Sequence, residues 1–443
     1  MTPLVSTPAR GLRGRIAVPG DKSISHRALM LASLAVGRSM ITGLLEGDDV
    51  KHTAAALRAL GAGIERGGEG RWQVDGVGVG GLTESDQVLD LGNSGTGARL
   101  LIGLTASHPF TSFFTGDESL CRRPMARVMG PLSHIGANFI AHTGHTLPLA
   151  VIGARSPIPI IEKLAIASAQ VKSAILLAGL NAPGETTVIE PEQSRDHTEI
   201  MLRHFGARVI VEEMSADGDG GHAATVTGHP ELTARDITVP GDPSSAAFPL
   251  VAAVLAEDSE VTVTDVCVNP LRMGLYETLR EMGADIVIAN QREQGGEMVA
   301  DITARSSRLK GVAVPFSRVP SMIDEFPILA IAAACAEGKT AMGGIAELRV
   351  KESDRVRAIV DGLARCGVGA EETEDGLVVY GKDGRPPGGK TIETHLDHRI
   401  AMAFLVMGVV SEDKIGVDDS TMIGTSFPGF AELMNRIGGK VQA

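Results

Sequence analysis

The residues best suited to chemistry stand together in Gly20-Asp21-Lys22-Ser23-Ile24-Ser25-His26-Arg27. Val18-Pro19-Gly20 reads as a strand ending in a turn and Asp21 as a helix cap, so Lys22, Ser23 and Arg27 fall at a helix N-terminus. Ser23 and Arg27 are four residues apart and share one face. An ammonium, a hydroxyl and a guanidinium at such a place would hold an anion. Standing alone, the segment would also read as a capped helix with a surface Lys and Arg. A second cluster is Leu348-Arg349-Val350-Lys351-Glu352-Ser353-Asp354-Arg355. Read as helical, it puts Lys351 and Arg355 on one face, with Glu352 three before Arg355. A carboxylate among cations is either held ionised or used as a proton donor, depending on burial. The plainer alternative is a solvated, ion-paired helix face.

Four further groups carry polar side chains at close spacing: Ser168-Ala169-Gln170-Val171-Lys172, Arg195-Asp196-His197-Thr198-Glu199, Ser321-Met322-Ile323-Asp324-Glu325 and His395-Leu396-Asp397-His398-Arg399. His395 and His398 invite a metal reading, but no other His, Cys or Asp pattern of zinc-site spacing supports it. A helix opened by Asp397 accounts for the segment equally well. Gly76-Val77-Gly78-Val79-Gly80-Gly81 matches a dinucleotide-binding pattern in which a helix must follow; polar residues and a strand-like run, Val88 to Leu91, follow instead, so it reads as a loop. Cys121 beside Arg122 and Arg123 has no base in reach by sequence and reads as a bystander thiol.

The elements that position these residues repeat. Leu-x-x-hydrophobic-Gly-small occurs at Leu57 to Ala62, Leu132 to Ala137, Leu202 to Ala207 and Leu279 to Ala284. Weaker copies run from Leu363 to Val368 and from Met434 to Gly439. The phrase describes a helix whose last turn is closed by a left-handed Gly before the chain enters a strand. The spacing of roughly 75 residues suits a βαβαββ unit, too long for a solenoid repeat. A second echo, Val18-Pro19-Gly20-Asp21-Lys22-Ser23 against Val239-Pro240-Gly241-Asp242-Pro243-Ser244-Ser245, divides the six units into three and three. Apolar helical runs follow each, Ala28 to Leu34 and Ala246 to Ala253. The expected organisation is α/β: residues 21–240 as one domain, and residues 1–20 with 241–443 as a similar second one. Helix N-termini would face the gap between them, a setting suited to phosphates.

A chain of 443 residues is long enough for two cores, which at 3% aromatic content must be built from aliphatic side chains. A net charge of −13 argues against nucleic-acid and membrane-surface partners, so an anionic substrate would need a local basic cleft. Four scattered cysteines without a C-x-x-C pair read as reduced cytosolic thiols. No signal or transit pattern opens the sequence and no apolar run is long enough to span a bilayer, so a cytoplasmic protein is expected.

Taken in order, GDKSISHR, LGNSGT, RPMARV, SAQVK, RDHTE, PGDPSS, SMIDE, RVKESDR, HLDHRIAM and TSFP resemble the 5-enolpyruvylshikimate-3-phosphate synthase family along essentially the whole chain, its second bacterial class in particular. The resemblance implies two domains of three βαβαββ units each, with the active site in the interdomain cleft. It implies shikimate 3-phosphate and phosphoenolpyruvate as substrates and a monomeric enzyme without metal or organic cofactor. By residue match, Lys22, Ser23, Arg27, Ser168, Ala169, Gln170, Arg195, Asp324 and Lys351 would bind shikimate 3-phosphate. Lys22, Asn93, Gly95, Arg123, Gln170, Arg355 and Arg399 would surround phosphoenolpyruvate. Asp324 would accept the proton of the attacking 5-hydroxyl, and Glu352 with Lys22 would handle the proton at C3, making these three the expected catalytic groups. The sequence departs from the family at three places. Thr425-Ser426-Phe427-Pro428 lacks the Lys many relatives carry there, Leu271 in Asn269-Pro270-Leu271-Arg272 replaces a usual Thr, and Gly95 stands where herbicide-insensitive members have Ala. Two rivals are weaker. The related transferase acting on UDP-N-acetylglucosamine opens with Gly-Ala-Lys-Asn and carries a reactive Cys farther ahead of its Arg-Pro than Cys121 lies ahead of Arg123-Pro124. A non-catalytic repeat scaffold has no use for so many cations beside carboxylates.

Overall fold

The computed structural model describes residues 2–68, 70–214 and 221–443. Thirteen α-helices occur among them: α1 (Lys22–Leu34), α2 (Asp48–Ala59), α3 (Gly95–Ala106), α4 (Glu118–Arg122), α5 (Ala126–Ile135), α6 (Ala169–Gly179), α7 (His197–His204), α8 (Pro243–Leu255), α9 (Gly274–Glu281), α10 (Phe326–Cys335), α11 (Arg355–Arg365), α12 (His398–Val410) and α13 (Phe430–Arg436). They alternate with strands that form six small sheets. Residues 20–239 with 294–297 make one compact unit; residues 1–19, 240–293 and 298–443 make the other.

The sheets share one plan. In the 20–239 unit, Leu89–Asp90 runs parallel to Thr111–Thr115, Leu89 opposite Phe114, and Thr146–Ile152 and Asn138–His142 complete the sheet antiparallel. Ile161–Lys163 beside Glu185–Glu190, and Ile237–Thr238 beside Val36–Thr42, repeat the parallel edge. In the other unit the N-terminal chain supplies strands to two sheets: Arg13–Ala17 pairs parallel with Glu260–Cys267, and Leu4–Thr7 lies between Ile415–Val417 and Lys440–Gln442.

Two kinds of helix follow from two kinds of sequence. α8, α10 and α12 are apolar nearly all round, so they can only be stable inside; they pack pairwise on one another and form the core with the inner faces of the sheets. α3 against α6, with α1 beside α3, fills the same place in the 20–239 unit. The second helix of each repeat is half apolar, covers a sheet, and ends at one of the recurring glycines. Gly61, Gly136, Gly206, Gly283, Gly367 and Gly438 all have φ between +77° and +115°. In each case the following residue donates its N–H to the carbonyl five residues earlier, as Ala62 does to Leu57 at 3.0 Å and Gly439 to Met434 at 2.8 Å. The two weaker copies close in the same way as the other four. Among the described residues no helix is long and apolar enough to cross a membrane.

The consequence for chemistry is positional. The inner helices begin at Lys22, Gly95, Ala169, Pro243, Phe326 and His398. Four of the polar clusters singled out from the sequence, around Lys22, Ser168, Asp324 and Asp397, therefore sit at the N-termini of buried helices, and those around Arg195 and Lys351 precede the outer helices α7 and α11.

Candidate functional site

In the 20–239 unit, Asp21 caps α1 by accepting the Ile24 N–H at 2.8 Å. Lys22, the first helical residue, is ion-paired with Asp49 of α2. One turn on, Arg27 is buried and donates from Nε to Thr198 Oγ1 at 2.7 Å, from Nη2 to Ser173 Oγ at 2.8 Å and from Nη1 to the Ser23 carbonyl at 3.0 Å. Burial, opposed by Glu199 and Asp21, brings this guanidinium down to about 10, still charged at neutral pH. Between them His26 is fully buried, bonded through Nδ1 to Thr53 Oγ1 at 2.8 Å and through Nε2 to Ser94 Oγ at 3.4 Å. Burial, then the nearby Lys22 and Arg27 charges, push its pKa well below the usual imidazole range. It is a neutral link between α1, α2 and the start of α3.

Ser94 caps α3, accepting the Gly97 N–H at 2.9 Å. Arg123 donates from Nη2 to Asn93 Oδ1 at 2.7 Å, and Asn93 in turn donates to Asp117 Oδ2 at 2.6 Å. A Cβ on Gly95 would lie 2.8 Å from Arg99 Nη1 and 3.1 Å from Arg123 Nη1, so the bare glycine lets two guanidinium groups close on this helix end. Arg99 Nη1 also reaches Gln170 Oε1 at 3.0 Å, while Gln170 Nε2 donates to Thr96 Oγ1 at 2.9 Å. Ser168 caps α6, whose first residues are Ala169 and Gln170. Arg195 lies just ahead of α7, beside its cap residue Asp196.

Behind these helix ends, Lys172 is buried with Nζ 2.8 Å from both Glu190 and Glu199. Burial alone would lower the ammonium; the two carboxylates outweigh that and raise it.

In the other unit, the centre is Arg355, the first residue of α11 and almost fully buried. It grips Asp397 with Nε at 2.8 Å and Nη2 at 3.2 Å, pairs with Glu352 at 2.6 Å, and has Asp324 at 3.7 Å. Burial disfavours the charge, but the three carboxylates together hold it firmly protonated. Asp397 is also buried, which would raise its pKa, yet Arg355 keeps it below the usual carboxylate range. Asp397 doubles as the cap of α12, accepting the Arg399 N–H at 2.9 Å. Arg399 then donates to the Asp324 carbonyl at 2.9 Å and approaches Glu325 at 3.7 Å. Two carboxylates, Asp324 and Glu352, are thus partly exposed against a fixed cation. Such groups are oriented for proton transfer, and the helix-end cations are suited to anions.

The family model for EPSP synthase (3-phosphoshikimate 1-carboxyvinyltransferase) matches residues 6–434. The chain is 63% identical to the 3-phosphoshikimate 1-carboxyvinyltransferase of Paramagnetospirillum magneticum over 99% of its own length and 98% of that protein's. It belongs to the EPSP synthase family. The corresponding protein of Parvibaculum lavamentivorans is 59% identical over 98% of this chain and 96% of its own. A solved EPSP synthase from Acinetobacter baumannii superposes with a TM-score of 0.88 at 44% identity, each chain covered completely. The enolpyruvyl transferase NikO from Streptomyces tendae has a TM-score of 0.75 at 17% identity over 99% of this chain and 98% of its own, a likeness of fold. The mixed α/β architecture expected from the repeats is that of the enolpyruvyl transferases.

Within this EPSP synthase family member, the expected residues gather in each unit. Lys22, Ser23 and Arg27 share α1; Asn93, Gly95 and Arg123 meet at the start of α3, with Gln170 tied to the same turn. Asp324, Glu352, Arg355 and Arg399 form one cluster. Lys351 stands aside, its Nζ paired with Glu347 at 3.0 Å. The expectation that Lys351 and Arg355 share a helical face is corrected. A 3-10 turn ends at Val350 and α11 starts at Arg355, because Asp354 leaves helical geometry to accept the Arg357 N–H at 3.1 Å. Glu352 still reaches Arg355, across a turn. Of the Gly76 to Gly81 segment, read from the sequence as a loop, Gly76 and Val77 end strand Trp72–Val77 and the residues from Gly78 on form the turn, with no helix following. His395 lies in a loop and His398 opens α12; among the described residues no group of three or more His, Cys, Asp or Glu is placed to hold a metal.

The residues missed are those whose role is to hold others. Asp49 and Arg99 carry no role in the sequence reading, although Arg99 lies one turn after Gly95, and Asp397, read as the opener of a helix and found as the cap of α12, has the further role of holding Arg355. Of the family departures, Arg272 donates to Asp242 Oδ1 at 3.1 Å and Ser244 Oγ at 2.8 Å, and Leu271 takes no part in that network beyond its backbone N–H, bonded to Asn269 Oδ1 at 2.9 Å.

Proposed function

We propose that the protein transfers the enolpyruvyl group of phosphoenolpyruvate to the 5-hydroxyl of shikimate 3-phosphate, releasing phosphate, with residues of both units serving one reaction. Membership of the family supports the reaction. The observation that supports the assignment of roles is the Asp324–Arg355–Glu352 cluster, two partly exposed carboxylates held by one buried guanidinium. Lys22, Ser23, Arg27, Ser168, Ala169, Gln170, Arg195, Asp324 and Lys351 bind shikimate 3-phosphate. Lys22, Asn93, Gly95, Arg123, Gln170, Arg355 and Arg399 bind phosphoenolpyruvate. Guanidinium forks suit its carboxylate and phosphate.

In the addition step the 5-oxygen bonds to C2 of phosphoenolpyruvate, its proton passing to Asp324, while C3 gains a proton from Glu352 assisted by Lys22. In the elimination step C2 loses phosphate, which carries off the proton held by Asp324, and C3 returns a proton to Glu352, restoring the double bond and both carboxyl groups to their starting states. Cations already fixed in place meet the charge that develops on the leaving phosphate, with no reorganisation at that moment. A phosphate-release assay tests the reading. Phosphate should appear only when both substrates are present, one equivalent per enolpyruvyl ether formed. Release with UDP-N-acetylglucosamine in place of shikimate 3-phosphate would instead favour the related transferase activity.

A further inference from the structure

Two of the polar clusters in the 20–239 unit contain charged residues that the reaction does not use: Lys172 beyond Ser168-Ala169-Gln170, and Glu199 beyond Arg195. The structure shows what they are attached to. Glu190, the last residue of strand Glu185–Glu190, is 1% exposed. Its Oε1 accepts the backbone N–H of Ser168 at 2.9 Å and the Ser194 hydroxyl at 2.6 Å. Its Oε2 takes the Lys172 ammonium at 2.8 Å, lies 2.8 Å from the same hydroxyl and accepts the Ser194 N–H at 3.4 Å. Lys172 adds a bond to the Ser194 carbonyl at 3.2 Å and the ion pair with Glu199 on α7. One buried carboxylate therefore ties the first turn of α6 to the loop that ends at Arg195, and it does so at the helix end itself, whereas the other ties between these segments, from Lys172 and from Thr198 to Ser173 at 2.7 Å, lie deeper along α6.

We propose that Glu190 is a positioning residue for the shikimate 3-phosphate site, setting the distance between the Ser168–Gln170 helix end and Arg195. The inference rests on the assignment of those four residues to shikimate 3-phosphate given above. A supporting residue of this kind acts by holding binding groups in register before the ligand arrives, so its loss appears in affinity for that ligand.

The test uses the full-length enzyme and steady-state kinetics of Glu190→Gln, Ser194→Ala and Arg195→Ala. Glu190→Gln leaves the Lys172–Glu199 pair complete, so no buried charge is stranded. Its KM for shikimate 3-phosphate should rise about tenfold or more, the scale seen when outer partners of ligating groups are removed. The phosphoenolpyruvate KM, measured at saturating shikimate 3-phosphate, should stay within about twofold. Ser194→Ala changes no charge and should move the same constant in the same direction by less, which decides the matter if Glu190→Gln does not fold. A merely structural role would lower the active fraction, and with it kcat, at unchanged KM. An unchanged shikimate 3-phosphate KM in the Glu190 and Ser194 variants, with Arg195→Ala raising it, overturns the proposal and leaves the site assignment standing. No effect of Arg195→Ala overturns the assignment itself.

Discussion

At the scale of single residues, the most informative feature is that the carboxylates proposed for proton transfer share one buried arginine. Arg355 is held by Asp397, so Asp324 and Glu352 meet a cation already in place. Asp324→Asn and Glu352→Gln keep shape and hydrogen bonding but remove proton transfer. Each should lower kcat by about 10²–10⁴-fold with substrate affinity largely kept. Turnover near wild type in either variant would cancel its role. Gly95 makes a second case. A methyl there meets the far end of Arg99, which can yield, so Gly95→Ala should fold normally while narrowing the space before Arg123. The resemblance implies that glyphosate occupies the phosphoenolpyruvate site in a slightly longer form. The ratio of its inhibition constant to the phosphoenolpyruvate KM should therefore be low in wild type and rise in Gly95→Ala. A ratio high in wild type and unmoved by the substitution would exclude this wall as the determinant.

Among elements, the six glycine closures and the buried caps carry the architecture. Gly206 has φ of +100° and a Cβ there would meet nothing nearer than the Glu231 carbonyl at 3.9 Å, so only backbone strain opposes substitution. Gly206→Ala should cost about 1–2 kcal/mol in urea unfolding, with KM values unchanged. His26 joins three helices, and its burial favours the neutral form. Its folded pKa lies below the ordinary 6.5, as does that of buried His108, for both of which burial is the main cause. The unfolded chain therefore binds more protons below pH 6.5, so this stability is fully present above that value and is lost as pH falls. The slope is at most about 1.4 kcal/mol per pH unit for each histidine. Asp397, whose pKa is lowered, contributes in a separate window, losing its share only as pH falls below 3.8. Unfolding free energies between about pH 5 and pH 7.5 should fall with acid in wild type, and less steeply in His26→Gln. An identical slope in the variant would place its source elsewhere.

For the whole molecule, the acidic body and the two units set the terms. With a net charge of −13, affinity for two anionic substrates has to come from local cations rather than from the overall field. Those cations are divided between the units: Lys22, Arg27, Arg123 and Arg195 in one, Lys351, Arg355 and Arg399 in the other. If both sets serve one reaction, ligands should register in both. In hydrogen exchange, shikimate 3-phosphate alone should slow the amides at the starts of α1 and α6. Adding a phosphoenolpyruvate analogue should extend protection to the starts of α11 and α12. Protection confined to one unit with both ligands saturating would refute the division of labour.

Much of this protein was legible in one dimension. The six closures are local: a left-handed residue after an apolar helical run needs glycine, so the repeat shows in the sequence wherever the backbone demands it. The helix starts at Asp21, Asp242 and Asp397 were legible for the same reason, since each caps within two or three residues of itself; Ser94 and Ser168, which the sequence reading does not take as caps, act the same way. Asp354 shows where local reading failed, because the same residue type that opens α11 also ended the helix drawn through Lys351. What tertiary structure alone decided was pairing. Arg355 could have served any carboxylate within a turn of it. Packing of α11 against α12 gave it Asp397, 42 residues away, and left Glu352 and Asp324 as the exposed pair. Arg27 finds Thr198 171 residues on, and Glu190 reaches back 22 to Ser168. Periodicity and capping record the forces along the chain. The partner of a buried charge is set by which helices pack together, and no spacing in the sequence encodes that distance.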